Sequence, residues 1–444
     1  MYSGDLIIDW RNRMKTLLLC GGTGKRMAPF AEDKFLFKFL GKTLLEYQFD
    51  LLLKAGLNDI ILVCNPQNQE KVKEIVKHIP DIKTAIVTQE APKGIADALE
   101  SASHLFNGEL LIINPNDLFE LKALTTLIDT RCGSAAESFV LGHVVNEYFP
   151  GGYLVIDEKG FLSHIMEKPG KGHEPSNMVN LLVHLHTRPN VLMDYIHHVS
   201  SERDDIYEKA VDAMCKDNRK IMVVPYTGEW HAIKYPWNIM DFVRYFLDRT
   251  ETYISPTAKI SERAIIEGKV IIEDNVLIME NAVVKGPVYL GRGTVVGNNT
   301  VVRSYSHVGA NCIIGFASEI KDSYIEDGCS FCMNYIGDSI IGDHCYFGTG
   351  TVTANLRFDQ KPVLVRVGSD MIDSGVANLG ALIGPDCRFG VNVNIMPGIK
   401  IGAGSTIGPE SCLTQDVPLN TPPPARQIGA DNISKLGAPI LQTV

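Results

Sequence analysis

The chain has no apolar run of membrane-spanning length, since "TLLLC" and "DIILVC" are only strand-sized. It has no basic tract either. Lys and Arg number 42 against 52 Asp and Glu, a formal charge of -10, which argues against a nucleic-acid partner. That balance says nothing against small anionic substrates, which need only a few local cations. The first residues, "MYSGDLIIDWRNRM", lack the apolar centre of a secretory signal and read as an extension over 1–13. The ten cysteines form no dense framework, so reduced thiols in a cytoplasmic protein with no membrane partner are expected.

What is present falls into two patterns. Over 14–250 short apolar runs alternate with helical periods: "KTLLLC", "KTLLEYQFDLLLKAG", "DIILVCN", "NQEKVKEIVKHI", "KTAIVTQ", "GIADALESASHLF", "ELLIIN". This alternation predicts an α/β, Rossmann-like parallel sheet with ligands at the carboxyl ends of its strands. From Ile254 every sixth residue is aliphatic, through Ile260, Ile266, Ile272, Ile278, Val284, Leu290, Val296, Val302, Val308, Ile314 and Ile320. The period resumes at Ile383, Phe389, Ile395, Ile401 and Ile407. Six residues per strand and three strands per coil give a parallel β-helix over 251–418, its aliphatics stacked inside a triangular prism. Residues 355–380 break the period and read as an extruded loop, and 419–444 as a C-terminal arm.

Two short motifs carry possible chemistry. "LLLCGGTGKRM" follows the first strand, but no G-K-[ST] closes it, and Gly21, Gly22 and Gly24 are not spaced for a dinucleotide. Glycines let backbone amides approach phosphate oxygens, while Lys25, Arg26 and Lys34 supply positive charge. Taken alone, such a loop is as often a plain structural turn. In "CSFCMNYIGD", Cys329 and Cys332 form a C-x-x-C. A metal knuckle needs two more ligands, and the nearby His344 and Cys345 read as part of a coil. A redox pair wants a helix start after a strand, which the prism does not offer.

The order of motifs resembles a known family. "LLLCGGTGKRM", "GKTLLEYQFDLLLKAG", "TQEAPKGIADAL", "LLIINPNDLF", "GGYLVID", "IMEKPG", "MVNLLVH" and "GEWHAIKYPWN" resemble, in sequence, the sugar-1-phosphate nucleotidylyltransferases. With the hexapeptide prism, "GTVTANLRFD" and "IMPGIKIGAGSTIGP", the whole chain is similar to the archaeal-type bifunctional sugar-1-phosphate nucleotidylyltransferase/acetyltransferases. The resemblance implies a left-handed β-helix that assembles as a homotrimer. It also implies a nucleoside triphosphate and a sugar 1-phosphate as substrates, Mg²⁺, and acetyl-CoA for the second domain.

Residue by residue, it implies that Arg26 and Lys34 act on the phosphates, beside the amides of Gly21, Gly22 and Gly24 and the charge of Lys25. Gln89 and Gly94 would read the pyrimidine, Asp117 would hold Mg²⁺, and Gly152, Glu167 and Asn180 would contact the sugar. In the prism the matches are Arg303, Lys321, Tyr335 and Asn355, with Cys332 where the family has its catalytic His and Tyr346 where it has a second Asn. Other departures are Asp33 for Pro, Ile95 for Thr, Asn116 and Leu182 for Gly, and Ala232 for the second metal-binding Asp. His231 and Asn238 lie near Ala232 in sequence and are candidates to compensate. Acetyl transfer needs a base for the amine, and a thiol is a poor one. The reading is therefore a nucleotidyltransferase whose prism has doubtful acetyl transfer. The alternative is a non-catalytic or regulatory assembly protein with the same two domains.

Overall fold

The computed structural model describes residues 14–423. The expected extension 1–13, and the expected arm beyond 423, lie outside the described residues. The described chain forms two compact units. One comprises 14–23, 33–36 and 43–232; the other comprises 24–32, 37–42 and 233–423.

In the first unit, strands β1 (Met14–Cys20), β2 (Asp59–Cys64), β3 (Lys83–Thr88) and β4 (Glu109–Ile113) run parallel in the order β4-β1-β2-β3. Successive residues serve opposite faces: Leu18, Leu62 and Leu111 join one buried cluster, and Leu17, Ile61 and Ile112 the other. Burial on both faces is why these strands read as continuous apolar runs. Helix α1 (Leu44–Lys54) starts at a capping box, in which Thr43 Oγ1 accepts from Glu46 N–H (3.2 Å) and Glu46 Oε2 accepts from Thr43 N–H (2.7 Å). Helices α2 (Gln69–Lys77) and α3 (Ile95–Ala102) complete the crossovers.

The strict alternation ends at Ile113. Strand β5 (Asp117–Phe119) leaves the sheet, and after α4 (Leu121–Gly133) come β6 (Ser138–Val144), β7 (Gly152–Ile156), β8 (Leu162–Glu167) and β9 (Met178–His186). β9 inserts antiparallel between β4, β6 and β7. The sheet is therefore mixed, and the purely parallel expectation holds only for its first part. Helices α5 (Pro189–His198) and α6 (Ile206–Lys216) precede β10 (Ile221–Pro225), which pairs parallel with β6. β11 (Trp230–Ala232) pairs antiparallel with β5.

The second unit is a left-handed parallel β-helix of three parallel sheets, each of eight strands among the described residues. Ile272 through Ile320 at six-residue steps are fully buried. Ile254 is 42% exposed because its coil ends the stack. Beyond Ile320 the inward positions are Ile325, Phe331, Ile336, Ile341 and Phe347, so three steps shorten to five residues and the sequence period is lost there. Phe331, Phe347 and Phe389 stack at centroid separations of 4.8 and 4.6 Å. Corner residues such as Asn275, Asn281, Asn299 and Asn311 adopt the left-handed conformation that asparagine tolerates. The break at 355–380 contains an antiparallel hairpin, Leu364–Val367 with Asp370–Asp373. It docks through Val363 and Val365, each 1% exposed. Helix α7 (Ile239–Arg249) and residues 37–42 belong to this unit. Phe39 stacks on Phe242 and Phe246, and Arg244 donates two 2.7 Å hydrogen bonds to Asp322.

Candidate functional site

At the carboxyl end of β1, Gly21 has no room for a side chain, because a Cβ there would lie 2.2 Å from Gln89 Oε1. The glycine loop and Gln89 are thus in direct contact. Gln89, 3% exposed, donates from Nε2 to Gly94 O (3.0 Å) and to Asp97 Oδ2 (2.7 Å). Both partners only accept, which fixes the amide orientation and leaves Oε1 turned toward Gly21. Asp97, in the first turn of α3, was not singled out in the sequence. Its signal was weak: an acid eight residues after a glutamine.

The Lys34 turn is held to the same strand ends. Asn68 Nδ2 donates to Cys20 O (2.8 Å) and to Asp33 Oδ2 (2.6 Å), and Asp33 O accepts from Leu36 N–H. Asp33, standing where the family has proline, therefore anchors the single 3-10 turn Lys34–Leu36. Gly24, Lys25 and Arg26 count with the second compact unit. Gly24 (φ 55°) starts a 3-10 turn over Lys25–Met27, and the Arg26 guanidinium lies 6.0 Å from the centroid of the Tyr235 ring.

Asp117 is 5% exposed. Its Oδ2 accepts from Trp230 Nε1 (3.3 Å), its Oδ1 from Asn114 Nδ2 (3.4 Å), and its backbone carbonyl from Gln48 Nε2 (2.6 Å). Its direct cross-strand partner is Ala232. Residues opposite each other on antiparallel strands share a face with Cβ atoms ~5 Å apart. A carboxylate at 232 would lie beside that of Asp117, where Ala232 presents a methyl group. His231 pairs with Leu118 on the other face, with Nε2 2.9 Å from Glu229 Oε1. Asn238 Oδ1 accepts from the backbone N–H of Lys234 and Tyr235. Among the described residues no group of three His, Cys, Asp or Glu side chains is arranged to hold a metal.

Gly152, Glu167 and Asn180 come together across three adjacent strands. Glu167 is the cross-strand partner of Gly152. A Cβ on Gly152 would meet Glu167 Oε2 at 3.0 Å and Asn180 Nδ2 at 3.6 Å, so glycine keeps a recess open between them. Lys168 Nζ lies 2.7 Å from Glu167 Oε1. Nearby Glu208, 7% exposed, has its carboxyl pushed up to about 8, first by burial and then by the charge of Glu167.

In the prism, Lys321 and Asn355 converge on Asp338, with Tyr335 beside Asn355. Lys321 Nζ donates to Asp338 Oδ2 (2.7 Å), Asn355 Nδ2 donates to the same oxygen, and Asn355 Nδ2 lies 3.4 Å from the Tyr335 hydroxyl. Arg303 is paired with Glu319 (2.9 Å), the strand neighbour of Tyr335. Cys332 is exposed on the corner before Tyr335, its backbone N–H bound to Asn334 Oδ1 at 2.5 Å, outside that cluster. Its C-x-x-C mate Cys329 points inside the prism, where its Sγ lies 3.2 Å from Gly342 O. Tyr346 is 52% exposed.

A nucleotidyl transferase family model matches residues 15–233, and a bacterial transferase hexapeptide model matches 269–304 and 380–415. The chain is 37% identical to the bifunctional sugar-1-phosphate nucleotidylyltransferase/acetyltransferase of Sulfurisphaera tokodaii, over 91% of this chain and 98% of that protein. It is 33% identical to the bifunctional protein GlmU of Methanocaldococcus jannaschii, over 92% of this chain and 97% of that protein. It is 36% identical to the GlmU of a Methanococcus maripaludis strain, over 92% and 96%. Matched over nearly its whole length by two-domain relatives of this kind, the chain belongs to the bifunctional sugar-1-phosphate nucleotidylyltransferase/acetyltransferase family.

Proposed function

We propose that the chain transfers a nucleotidyl group from a pyrimidine nucleoside triphosphate to a hexose or N-acetylhexosamine 1-phosphate, releasing pyrophosphate. The observation that carries this reading is the contact of Gly21 with the oriented amide of Gln89 at the strand ends. An amide oxygen accepts the N3–H of uracil or thymine and finds no donor on cytosine N3, so UTP or dTTP is the matching substrate. A phosphate oxygen of the sugar 1-phosphate attacks the α-phosphorus in line, a reaction that needs positioning and charge neutralisation more than a protein nucleophile. Lys34 would neutralise charge developing at the α-phosphorus, and Gly152, Glu167 and Asn180 would hold the sugar.

Asp117 would hold Mg²⁺, an ion that accepts one or two carboxylates alongside phosphates and water. When bound, the ion neutralises phosphate charge. In the prism the anion-holding residues are kept, but the turn that carries the family's base offers a thiol at Cys332. We read this domain as a trimerising, sugar-phosphate-binding scaffold without acetyl transfer. Its exposed Phe316, Met333, Leu356 and Phe358 suit association. Pyrophosphate release with UTP and dTTP across a panel of sugar 1-phosphates tests the reading, and no turnover with any of them overturns it. The methyl of Ala232 beside Asp117 favours a second reading, a non-catalytic assembly protein. That reading predicts a thermal shift with nucleotide but no pyrophosphate.

A further inference from the structure

Asn180 terminates a continuous chain of buried side chains in the first unit. Ser138 Oγ lies 2.8 Å from His186 Nδ1, and His186 Nε2 lies 3.1 Å from the Tyr207 hydroxyl. That hydroxyl is 2.6 Å from His184 Nδ1, and His184 Nε2 is 2.6 Å from Asn180 Oδ1. Ser138, His184, His186 and Tyr207 are each at most 1% exposed. β9 slips its register on β6 between Leu181 and His184, which accompanies the approach of side chains four residues apart on one strand. An isolated buried histidine is ordinarily a satisfied core residue. Here two are wired in series and the last bond falls on a residue bordering the Gly152 recess.

The polarity of the chain follows from its end. Burial lowers both imidazoles, His186 to about 4 and His184 also well below its usual value, so each is neutral with one N–H and one lone pair. Asn180 Oδ1 can only accept, so His184 carries its proton on Nε2. Its Nδ1 then accepts from the Tyr207 O–H, the Tyr207 oxygen accepts from His186 Nε2–H, and His186 Nδ1 accepts from the Ser138 O–H. Reversing any one bond requires both imidazoles to change tautomer and the Asn180 amide to turn over. Nδ2 stays on the recess side, 3.6 Å from where a Gly152 Cβ would stand.

We propose that Ser138, His186, Tyr207 and His184 are positioning residues that lock the Asn180 amide with its N–H₂ toward the recess. The site then demands a hydrogen-bond acceptor on the sugar, a hydroxyl oxygen or acyl carbonyl, next to the hydroxyl donor that the Glu167 carboxylate accepts. This rests on the reading of Asn180 as a sugar contact. A buried network satisfied at every member specifies one geometry, because each unpaired alternative leaves a costly orphan.

The test joins spectroscopy to kinetics on the full chain. In ¹⁵N-histidine NMR, His184 and His186 are expected as Nε2–H tautomers between pH 6 and 8; an Nδ1–H tautomer at His184 overturns the proposal. Tyr207→Phe should raise KM for N-acetylglucosamine 1-phosphate about tenfold, with KM for UTP unchanged. Ser138→Ala, which removes a single oxygen at the far end, should raise it about threefold while leaving the thermal midpoint close to that of the parent. A sugar KM unmoved in both variants, while Asn180→Ala raises it, overturns the positioning role alone. A sugar KM unmoved in Asn180→Ala, with the tautomers as expected, overturns the proposal through the reading beneath it.

Discussion

On the proposed reading, the Asp117 strand pair of the first unit and the Cys332 corner of the prism each lack one group that the family's chemistry uses, and the two lacks are unequal. At Ala232 the missing group is a second carboxylate beside a buried first one. Phosphate oxygens and water are Mg²⁺ ligands that can stand in for a second carboxylate. At Cys332 the missing group is a proton acceptor, and an exposed thiol stands in its place. The surrounding charges differ too. Lys321 is matched by Asp338 and Arg303 by Glu319, so the prism cluster is internally balanced. In the first unit Gln89 turns its amide oxygen toward Gly21 at the strand ends. A site that works by positioning tolerates the loss of one of two similar ligands better than a site that works by proton transfer tolerates the loss of its base.

That contrast can be broken most directly at Asp117. Asp117→Asn keeps the size and the Trp230 contact but removes the charge, and kcat for pyrophosphate release should fall about 10²–10³-fold. A fall under threefold would mean that the carboxylate only caps its turn. Cys332→His restores a base to the prism corner. Acetyl transfer from acetyl-CoA to glucosamine 1-phosphate, which the proposed reading denies to the parent, should emerge, with a rise of about 10² expected of a positioned general base. Robust transfer by the parent would erase the asymmetry between the two regions. Ala232→Asp should act in the milder direction, lowering the Mg²⁺ concentration for half-maximal rate by about tenfold, as one added carboxylate oxygen would. An unchanged Mg²⁺ titration would show that the ion does not bind between these strands.

Much of this contrast was legible in the sequence, for physical reasons that also mark where legibility stopped. A prism buries one residue per strand, so Ile272 to Ile320 announce it by period alone. The same rule fails from Ile320 to Phe347 because the corners shorten while the burial pattern persists. The docked hairpin at Leu364–Asp373 was hidden because its buried residues, Val363 and Val365, follow strand alternation within a segment read as a loop. For the site, Gly21, Gln89 and Asp117 were marked by motif order. The residues that orient them were not, since their partners lie across strands or helices. Asp97 shows its role only once α3 folds beside Gln89, and Asp338 only when coils stack Lys321 and Asn355 onto it. The antiparallel insertion of β9, which joins Gly152, Glu167 and Asn180, likewise leaves no local period to read.

The smallest expected effect concerns the acid beside that sugar recess. Glu208 has its native carboxyl pushed up to about 8 by burial and by Glu167, whereas an unfolded glutamate titrates near ~4.3. Between those values the native chain holds a proton that the unfolded chain has released, so stability is full below ~4.3 and declines as pH rises toward 8. Glu208→Gln keeps the shape and removes the proton, and should flatten this part of the stability–pH curve. Its thermal midpoint should exceed that of the parent at pH 8 by about 2–4 °C for each kcal/mol of penalty relieved, and the gap should close as pH falls to ~4.3. Glu167→Gln should do part of the same from the other side, lowering the Glu208 pKa by removing a like charge while burial remains. Parallel curves for parent and Glu208→Gln would mean that the native carboxyl is ionised. The Gly152 recess would then carry two negative charges rather than one, a poor seat for a sugar phosphate.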